Sequence, residues 1–537
     1  MLHENLLLIL GLLFAVFLLV MLGQKLRISY PIFLVLGGLV MGFVPGLPRI
    51  AIEPDLIFLI FLPPLLYEAA WNTSWRDFWR WRRPIGLLAF GLVLFTSVIV
   101  AYVSRAMIPG FTLALGFLLG GIISPPDAVA AASVLKGIKV PKRVMAILGG
   151  ESLLNDASSL IVFRFALAAV LSGSFVWQDA ALSFAVTSSM GLVVGVGVAY
   201  VFYLIHKYLP TTPSINTALT LMAPYVMYLL AEEFHFSGVL AVVSGGLLMS
   251  FFSHAVFDAS TRLQANGVWA SLSFVLNGLV FILIGLQLPV AVEGLGNYSL
   301  QEAIVYGLII SFMVIVIRLL WMYPAAFVPR WWSYTIRTNE VSPGWQGPLV
   351  LGWAGMRGVV SLAAALSVPL LANGQPFPQR NLILFITFVV ILVTLVFQGL
   401  TLPALIRFTK LDELDEPVPP EEQEAGVRLR LRKAAVAHLK QQYADETSRN
   451  RLISRLQQRM ENEIQLTSQT LESIEIDETQ REALHQYHRV LLDILRVQRE
   501  ELFVMRRHNV FEDEVLRQQE AQLDLDEAKV LHIEQPE

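Results

Sequence analysis

The chain contains no cysteine, and only 15% of its 537 residues are charged. Without cysteine there is neither a disulfide nor a thiolate metal site, so cysteine gives no indication of the compartment. The few charges are unevenly distributed. Up to Arg407 there are 21 Lys and Arg against 15 Asp and Glu, and after it 18 against 28. A basic first part joined to an acidic last part is not typical of nucleic-acid binding, so we predict no nucleic-acid partner.

The chain is instead rich in long apolar runs. Hydrophobic residues make up 55% of the chain, and its mean hydropathy of +0.60 is typical of a polytopic membrane protein. Runs of bilayer-spanning length fall at about 5–22, 30–47, 54–71, 84–107, 111–136, 143–172, 178–208, 213–232, 236–253, 265–292, 301–328, 346–371 and 379–407. We therefore predict an all-α membrane protein with about 13 transmembrane helices within residues 1–410. The first run lacks a basic leader and an Ala-x-Ala exit, so we expect it to be retained as a span.

Loop charges predict the orientation. Alternate loops, at 25–27, 76–83, 136–143, 207, 262 and 330–337, carry fourteen Lys and Arg residues, whereas the opposite loops carry only Arg49, Arg105 and Arg380. Because basic loops stay on the cytoplasmic side, we predict a multi-pass protein of the plasma membrane with its N-terminus outside. The segment after residue 410 is then cytoplasmic. It begins with an acidic, proline-rich linker at 411–424 and continues as a helical tail at 425–537. The tail is either a solvated appendage or a regulatory or self-association module.

Four charged residues lie between Gly120 and Leu167, inside runs that are otherwise apolar enough to span a membrane: Asp127, Glu151, Asp156 and Arg164. Facing lipid, they would together cost about 10–14 kcal/mol on the insertion scale. They are therefore expected to face a protein interior or a wet cavity, where such a cluster marks a functional site.

The spacing within this cluster brings oxygen atoms together. If residues 151–171 form one helix, Glu151 stacks on Asn155 and Ser152 on Asp156, with Ser159 one turn further on. Carboxylate, amide and hydroxyl oxygens suit a small hard cation and protons, not zinc or copper.

Two of the predicted spans are expected to be interrupted. Pro125 and Pro126 end the helix before Asp127, because proline lacks an amide donor and clashes with the preceding turn. Seven spans later, Gly355 and Gly358 flank Arg357. Broken backbone in a membrane is tolerated only where it lines a cavity, and interruptions at corresponding positions of two halves indicate an inverted-repeat, ion-coupled carrier.

Three motifs carry a family resemblance. SPPDAVA, then GESLLNDASSL, and far downstream AGMRGVVSLA together resemble the monovalent cation:proton antiporter-1 family of sodium/proton exchangers over roughly Leu6 to Phe408. Many members have Thr or Val before the first aspartate and Pro after it, where this chain has Pro126 and Ala128. The hydroxyl that Thr supplies in some members is therefore absent at that step, and the backbone carbonyl remains.

The resemblance implies a cation site and roles for its residues. Na⁺ would bind Asp127, Ser152 and Asp156 with the backbone carbonyl of Pro126, and Asp156 would carry a cation or a proton but never both. The supporting residues would be Glu151, paired with Arg357, together with Asn155, which fixes the helix break, and Ser159.

The resemblance also implies an architecture and a stoichiometry. It implies a homodimer in which a core bundle (about 84–172 and 301–407) moves against a dimerisation bundle (about 5–71 and 213–292). Carriers with two neighbouring aspartates at this step return two protons per cation, so Asn155 predicts electroneutral 1:1 exchange. The partners would be monovalent cations, protons and membrane lipid, without a cofactor.

Several alternatives stay open on the sequence alone. A K⁺/H⁺ antiporter would share these motifs, and a cation channel or an organic-solute symporter is the rival of a different class. Nothing in the sequence resembles a nucleophile–base pair or a phosphate-binding loop, so we do not predict an enzyme. Glu68 is expected to be structural, with Arg318 as one partner to consider and a second proton site as the alternative. Asn277 is expected to make interhelical hydrogen bonds or to support the ion cavity. Arg164 is expected in an ion pair, or snorkelling, on the cytoplasmic side, with a role in the cavity as the alternative.

Overall fold

A computed structural model describes residues 2–527 except 27, 45–53, 137, 139, 174–176, 296–297, 335–341, 373, 412–419, 473–477, 509–514, 517–518 and 521. Most of the predicted linker at 411–424 therefore lies outside the described residues, as do Arg27, Arg49, Lys139 and Arg337. The chain divides into two compact units, Met1–Asp415 and Glu416–Glu537.

The first unit is almost entirely helical. Its helices are α1 (Leu2–Leu26), α2 (Tyr30–Gly42), α3 (Pro54–Asn72), α4 (Trp75–Arg80), α5 (Arg82–Gly86), α6 (Val93–Met107), α7 (Leu113–Ile123), α8 (Ala128–Leu135), α9 (Lys142–Ser172), α10 (Trp177–Tyr208), α11 (Pro213–Glu233), α12 (Gly238–Val256), α13 (Ala259–Leu286), α14 (Leu288–Glu293), α15 (Leu300–Trp332), α16 (Gln346–Trp353), α17 (Val359–Leu366), α18 (Arg380–Leu392) and α19 (Gly399–Thr409). Two π-helical turns, Leu87–Leu92 and Val393–Gln398, join α5 to α6 and α18 to α19. A two-stranded antiparallel ribbon, β1 (Leu371–Ala372) and β2 (Gln375–Pro376), precedes α18.

Ten segments in the described part of the chain are long and apolar enough to cross a membrane. They are Leu6–Leu26, Arg82–Met107, Leu113–Leu135, Lys142–Ser172, Leu182–Tyr208, Pro213–Glu233, Gly238–Val256, Ala259–Glu293, Leu300–Trp332 and Arg380–Thr409. The predicted all-α, multi-pass membrane class is confirmed. The other three predicted spans contain α2, α3 and the pair α16–α17, which are not among the ten, so the count of thirteen stays a prediction.

Both predicted interruptions are present. Between α7 and α8, residues 124–127 are not helical, and α8 starts afresh after Pro125 and Pro126. Between α16 and α17, residues 354–358 leave the helix, and Gly358 there has φ −146° and ψ −136°. Proline favours the first break because it cannot donate the helical hydrogen bond, although Pro63 and Pro64 lie inside the continuous helix α3.

Apolar packing holds the helices together in three clusters. One joins α6, α7, α9, α15 and α18 through buried side chains such as Leu118, Phe163 and Ile386. A second joins α3 and α9 to α10–α13, and a third runs from α1, α2 and α13 to α9 and α16. Because α9 takes part in all three, its polar residues lie at the centre of the unit. The division into core and dimerisation bundles stays a prediction.

The second unit is built from α20 (Pro420–Gln442), α21 (Ala444–Arg449), α22 (Arg451–Glu472) and α23 (Glu478–His508). Ion pairs join α20 to α22, with Lys440 Nζ 2.8 Å from Glu461 Oε1 and Arg432 Nη2 3.2 Å from Glu463 Oε2. Helices therefore occur where the composition of the sequence predicts them, and a cytoplasmic tail stays a prediction.

Candidate ion-binding site

A cavity of about 110 Å³ lies where the two interruptions meet α9. Its polar lining comes from the α7–α8 break, from α9, α13 and α17, and from the turn after α3, and includes Pro126, Asp127, Ser152, Asp156, Thr73, Asn277 and Ser361. The predicted ligands Asp127, Ser152 and Asp156 are thus brought together. A cavity of this size is below the roughly 300–1,000 Å³ of pockets that hold organic ligands.

Asp127 begins α8. Its Oδ1 accepts hydrogen bonds from the backbone N–H groups of Val129 (2.8 Å) and Ala130 (3.4 Å). A carboxylate in this position satisfies amides that have no helical partner and matches the positive end of the helix. The other oxygen, Oδ2, is buried and has no hydrogen-bond partner among the described residues, so it is available to a ligand.

The two interruptions touch each other at Asp127. Its backbone N–H donates to the carbonyl of Met356 at 2.7 Å. Gly358, which precedes α17, lies against Asp127 Oδ2 so closely that a Cβ at this position would overlap that oxygen. Glycine is therefore required here by close approach, and the carboxylate that begins α8 also lies against the start of α17.

Arg357 contacts the C-terminal ends of the two helices that precede the breaks, α7 and α16. Its Nε donates to the carbonyl of Ile123, the last residue of α7, at 2.9 Å, and its Nη1 donates to the carbonyl of Gly355 just beyond α16. Since helix C-termini carry partial negative charge, a guanidinium between them stabilises the crossing. The side chain is 1% exposed.

Helix α9 supplies the remaining predicted residues. Ser152 Oγ accepts from the Ala128 N–H at 3.3 Å, and Asn155 Nδ2 donates to the Pro126 carbonyl at 3.1 Å. That carbonyl keeps a second lone pair for a ligand. Asp156 is 6% exposed and lines the cavity. The hydroxyl of Ser159 instead donates to the backbone carbonyl of Asp156 at 2.9 Å, within its own helix, and Ser159 does not line the cavity.

The predicted pairing of Glu151 with Arg357 is wrong. Both carboxylate oxygens of Glu151 accept from Arg318, whose Nη1 and Nη2 lie at 2.5 and 2.8 Å. Each side chain is 1% exposed, and Arg318 also donates to the Leu351 carbonyl of α16. The two-pronged guanidinium of Arg318 satisfies the whole carboxylate, while helix-end carbonyls hold Arg357.

Two further expectations need correction. Glu68 does not meet Arg318, since its Oε1 accepts from Asn72 Nδ2 at 2.9 Å one turn later in α3. Arg164 does form an ion pair, with Nη2 2.7 Å from Glu232 Oε2. It lies towards the end of α9 that is remote from the basic loop at 136–143, so with the predicted orientation the pair is in the outer half.

Sequence reasoning missed Ser361 and did not decide the role of Asn277. Both line the cavity, and neither Ser361 Oγ nor Asn277 Oδ1 has a hydrogen-bond partner among the described residues. Ser361 belongs to the AGMRGVVSLA motif, so its position shortly after the second interruption was a signal that could have found it.

Comparison with known proteins identifies the family of the chain. Residues 11–408 match the family model described as the transmembrane sodium/hydrogen exchanger. An uncharacterised Na⁺/H⁺ exchanger of Mycobacterium tuberculosis is 34% identical over 518 residues, which cover 95% of this chain and 93% of that protein. A sodium, potassium, lithium and rubidium/H⁺ antiporter of Bacillus subtilis is 37% identical over 380 residues, or 69% of this chain and 56% of that protein.

Solved structures give the same fold. The sodium/proton antiporter MjNhaP1 of Methanocaldococcus jannaschii aligns with a TM-score of 0.61 at 20% identity, covering 76% of this chain and 99% of that chain. The family predicted from the three motifs is therefore confirmed. The chain belongs to the family of transmembrane sodium/hydrogen exchangers.

Proposed function

We propose that the chain exchanges Na⁺ for H⁺ by alternating access, with Asp127, Ser152 and Asp156 as cation ligands and the Pro126 carbonyl beside them. The observation that carries this proposal is the small cavity at the crossing of two broken helices, which holds two carboxylates within membrane-spanning segments. Charged groups at such a depth pair with one another or mark an ion pathway. The rival organic-solute symporter needs a larger cavity, and a channel needs ligands arranged around a continuous pore.

Competition for one carboxylate couples the two ions. Asp127 Oδ1 accepts from two backbone amides at the start of α8, so we assign this residue a constant protonation state. Asp156 begins no helix and lines the same cavity. It takes either a proton or a cation, so each ion can cross only when the other has left.

The remaining assignments follow the family resemblance. The protein would be a homodimer in the plasma membrane, with the N-terminus outside and the tail in the cytoplasm. In each protomer the helices of the core bundle would shift as a rigid body against the dimerisation bundle. The buried Glu151–Arg318 pair ties α9 to α15, both of which lie in the predicted core, so it would move with the site.

The choice of cation is open to direct test. Relatives are named for sodium exchange or for sodium, potassium, lithium and rubidium exchange, so K⁺ is the alternative substrate. We expect addition of Na⁺ outside acid-loaded proteoliposomes to raise the internal pH, read with an enclosed dye, and equal K⁺ to act less. A stronger response to K⁺ would establish the alternative. No response to either cation by correctly reconstituted protein would refute the proposal.

We expect exchange to be electroneutral. If Asp156 alone cycles, the core carries the same charge in both directions, because the neighbouring Asn155 amide takes up no proton. A net charge moved per cycle would feel about 2.3 kcal/mol per 100 mV, a roughly fiftyfold change in the equilibrium ratio.

The measurement fixes the Na⁺ gradient and clamps the potential at zero or about −100 mV with valinomycin and potassium. The pH gradient at which net flux vanishes should be the same at both potentials. A shift of this null point with potential would mean that a second group, such as Asp127, also titrates. Protein-free vesicles under the same clamp serve as the control.

A further inference from the structure

Ser361 is the third residue of α17, directly after the second helix break, and is 1% exposed. It lines the cavity together with Asp127, Ser152 and Asp156, and its Oγ has no hydrogen-bond partner among the described residues. Burying a hydroxyl without a partner is costly. Its place in the cavity therefore needs an explanation.

The hydroxyls of Thr96 and Ser273 are also buried without a hydrogen-bond partner among the described residues, but neither residue lines the cavity. Four other buried hydroxyls on the membrane helices bond within their own helix. Each donates to a backbone carbonyl four residues earlier in its own helix: Ser97 to Val93 (2.8 Å), Ser104 to Val100 (2.6 Å), Ser311 to Gly307 (2.6 Å) and Thr387 to Ile383 (2.8 Å). For Ser361 the residue four positions earlier is Arg357, which precedes α17 and is not helical. The break thus removes the acceptor that a serine at this place would normally use.

The charges around the cavity indicate a role for the unpaired hydroxyl of Ser361. The start of α17 is the positive end of a helix dipole, which by itself disfavours a cation. In the same cavity, Asp127 and Asp156 supply anionic oxygens, and Ser152 supplies a neutral one. A serine lone pair on α17 adds a hard, neutral oxygen on the side where the dipole is unfavourable, and hard cations prefer oxygen ligands.

We propose that Ser361 Oγ is a further ligand of the transported cation, supplied by α17 in addition to those from the α7–α8 break and α9. This assignment rests on the proposed Na⁺/H⁺ exchange at Asp127 and Asp156. Because α17 lies in the predicted core bundle, the ligand moves with the cation. It therefore sets how tightly the cation binds rather than how fast the core crosses.

The test compares Ser361→Ala and Ser361→Cys with wild type in proteoliposomes. The cysteine variant nearly keeps the side-chain volume but replaces the hard oxygen with soft sulfur. Loss of one neutral interaction should raise the Na⁺ concentration for half-maximal exchange about fivefold in both variants, with the maximal rate changed less than about twofold. Ser361→Thr, which keeps the hydroxyl, should restore binding. Ser311→Ala removes an equally buried hydroxyl that bonds within its own helix and should match wild type.

A second readout does not depend on transport. Na⁺ that binds the folded state raises the melting temperature of the detergent-solubilised protein, and both variants should need about five times more Na⁺ for the same rise. If the Na⁺ concentration for half-maximal exchange is unchanged in Ser361→Cys, the proposal is overturned. A lower maximal rate at unchanged half-maximal Na⁺ also overturns it, since Ser361 would then only position α17. A wild-type protein without any Na⁺ response would instead refute the proposed exchange itself.

Discussion

Proteoliposomes that contain the Asp156→Asn variant should show no Na⁺-driven change of internal pH, a loss of at least about a hundredfold in exchange rate. Asparagine keeps the shape of the side chain but neither takes up a proton nor carries negative charge. Since Asp156 lies in the cavity and begins no helix, the folded structure should survive the change. The readout is the initial rate of dye response after a Na⁺ pulse, normalised to inserted protein.

Asp258→Asn is the matched control for this change. Asp258 is exposed at the start of α13, outside the membrane-spanning segments and away from the cavity. Hydrogen bonds from Thr261 and Ser260 lower its pKa to about 2, so it stays charged throughout the working range of exchange. Asparagine also begins helices well, so this variant should exchange at the wild-type rate. Full exchange by a correctly inserted Asp156→Asn protein would show that another group carries the proton.

Breaking the buried Glu151–Arg318 pair should cause the largest loss of stability. Removing one member leaves the other charge buried without its partner, which costs about 3–5 kcal/mol. We therefore expect both Glu151→Ala and Arg318→Ala to melt at much lower temperature. The double variant should lose clearly less than the sum of the single changes, because neither charge is then left alone. Thermal unfolding of the detergent-solubilised variants measures all three.

Two comparison cycles make this result specific. The Arg164–Glu232 pair is partly exposed, with side chains 47% and 28% accessible, so its removal should cost less than about 1 kcal/mol. A cycle between Glu151 and Arg357 should give a smaller coupling than the cycle with Arg318. A larger coupling to Arg357 would restore the pairing that the family resemblance implied.

Local features of the sequence determined the class of protein and the place of its site. Apolar runs must become membrane helices because each backbone amide needs a partner in lipid. Pro125 and Pro126 favour a helix break because proline lacks the amide donor, but the pair does not enforce one by itself, since Pro63 and Pro64 lie inside α3. The place of Asp127 and Asp156 in a cavity was predictable for a similar reason, since a carboxylate in an apolar run needs a wet or paired environment.

Only the tertiary structure decided which partners these residues meet. Two buried arginines, Arg318 and Arg357, could each pair with Glu151, and each lies more than 160 positions away along the chain. The packing of α15 brings the first to the carboxylate, while the ends of α7 and α16 hold the second. Spacing along the chain carries no information about such distant contacts.

Tertiary packing also explains why Ser361 lines the cavity and Ser159 does not. Ser159 lies two turns beyond Ser152 on the predicted site helix, yet its hydroxyl bonds within α9. Ser361 reaches the cavity from far along the chain because the second break crosses the first at Asp127 and Met356. Sequence fixes which side chains can act as ligands through their chemistry, but the crossing of the two broken helices decides which of them share one cavity.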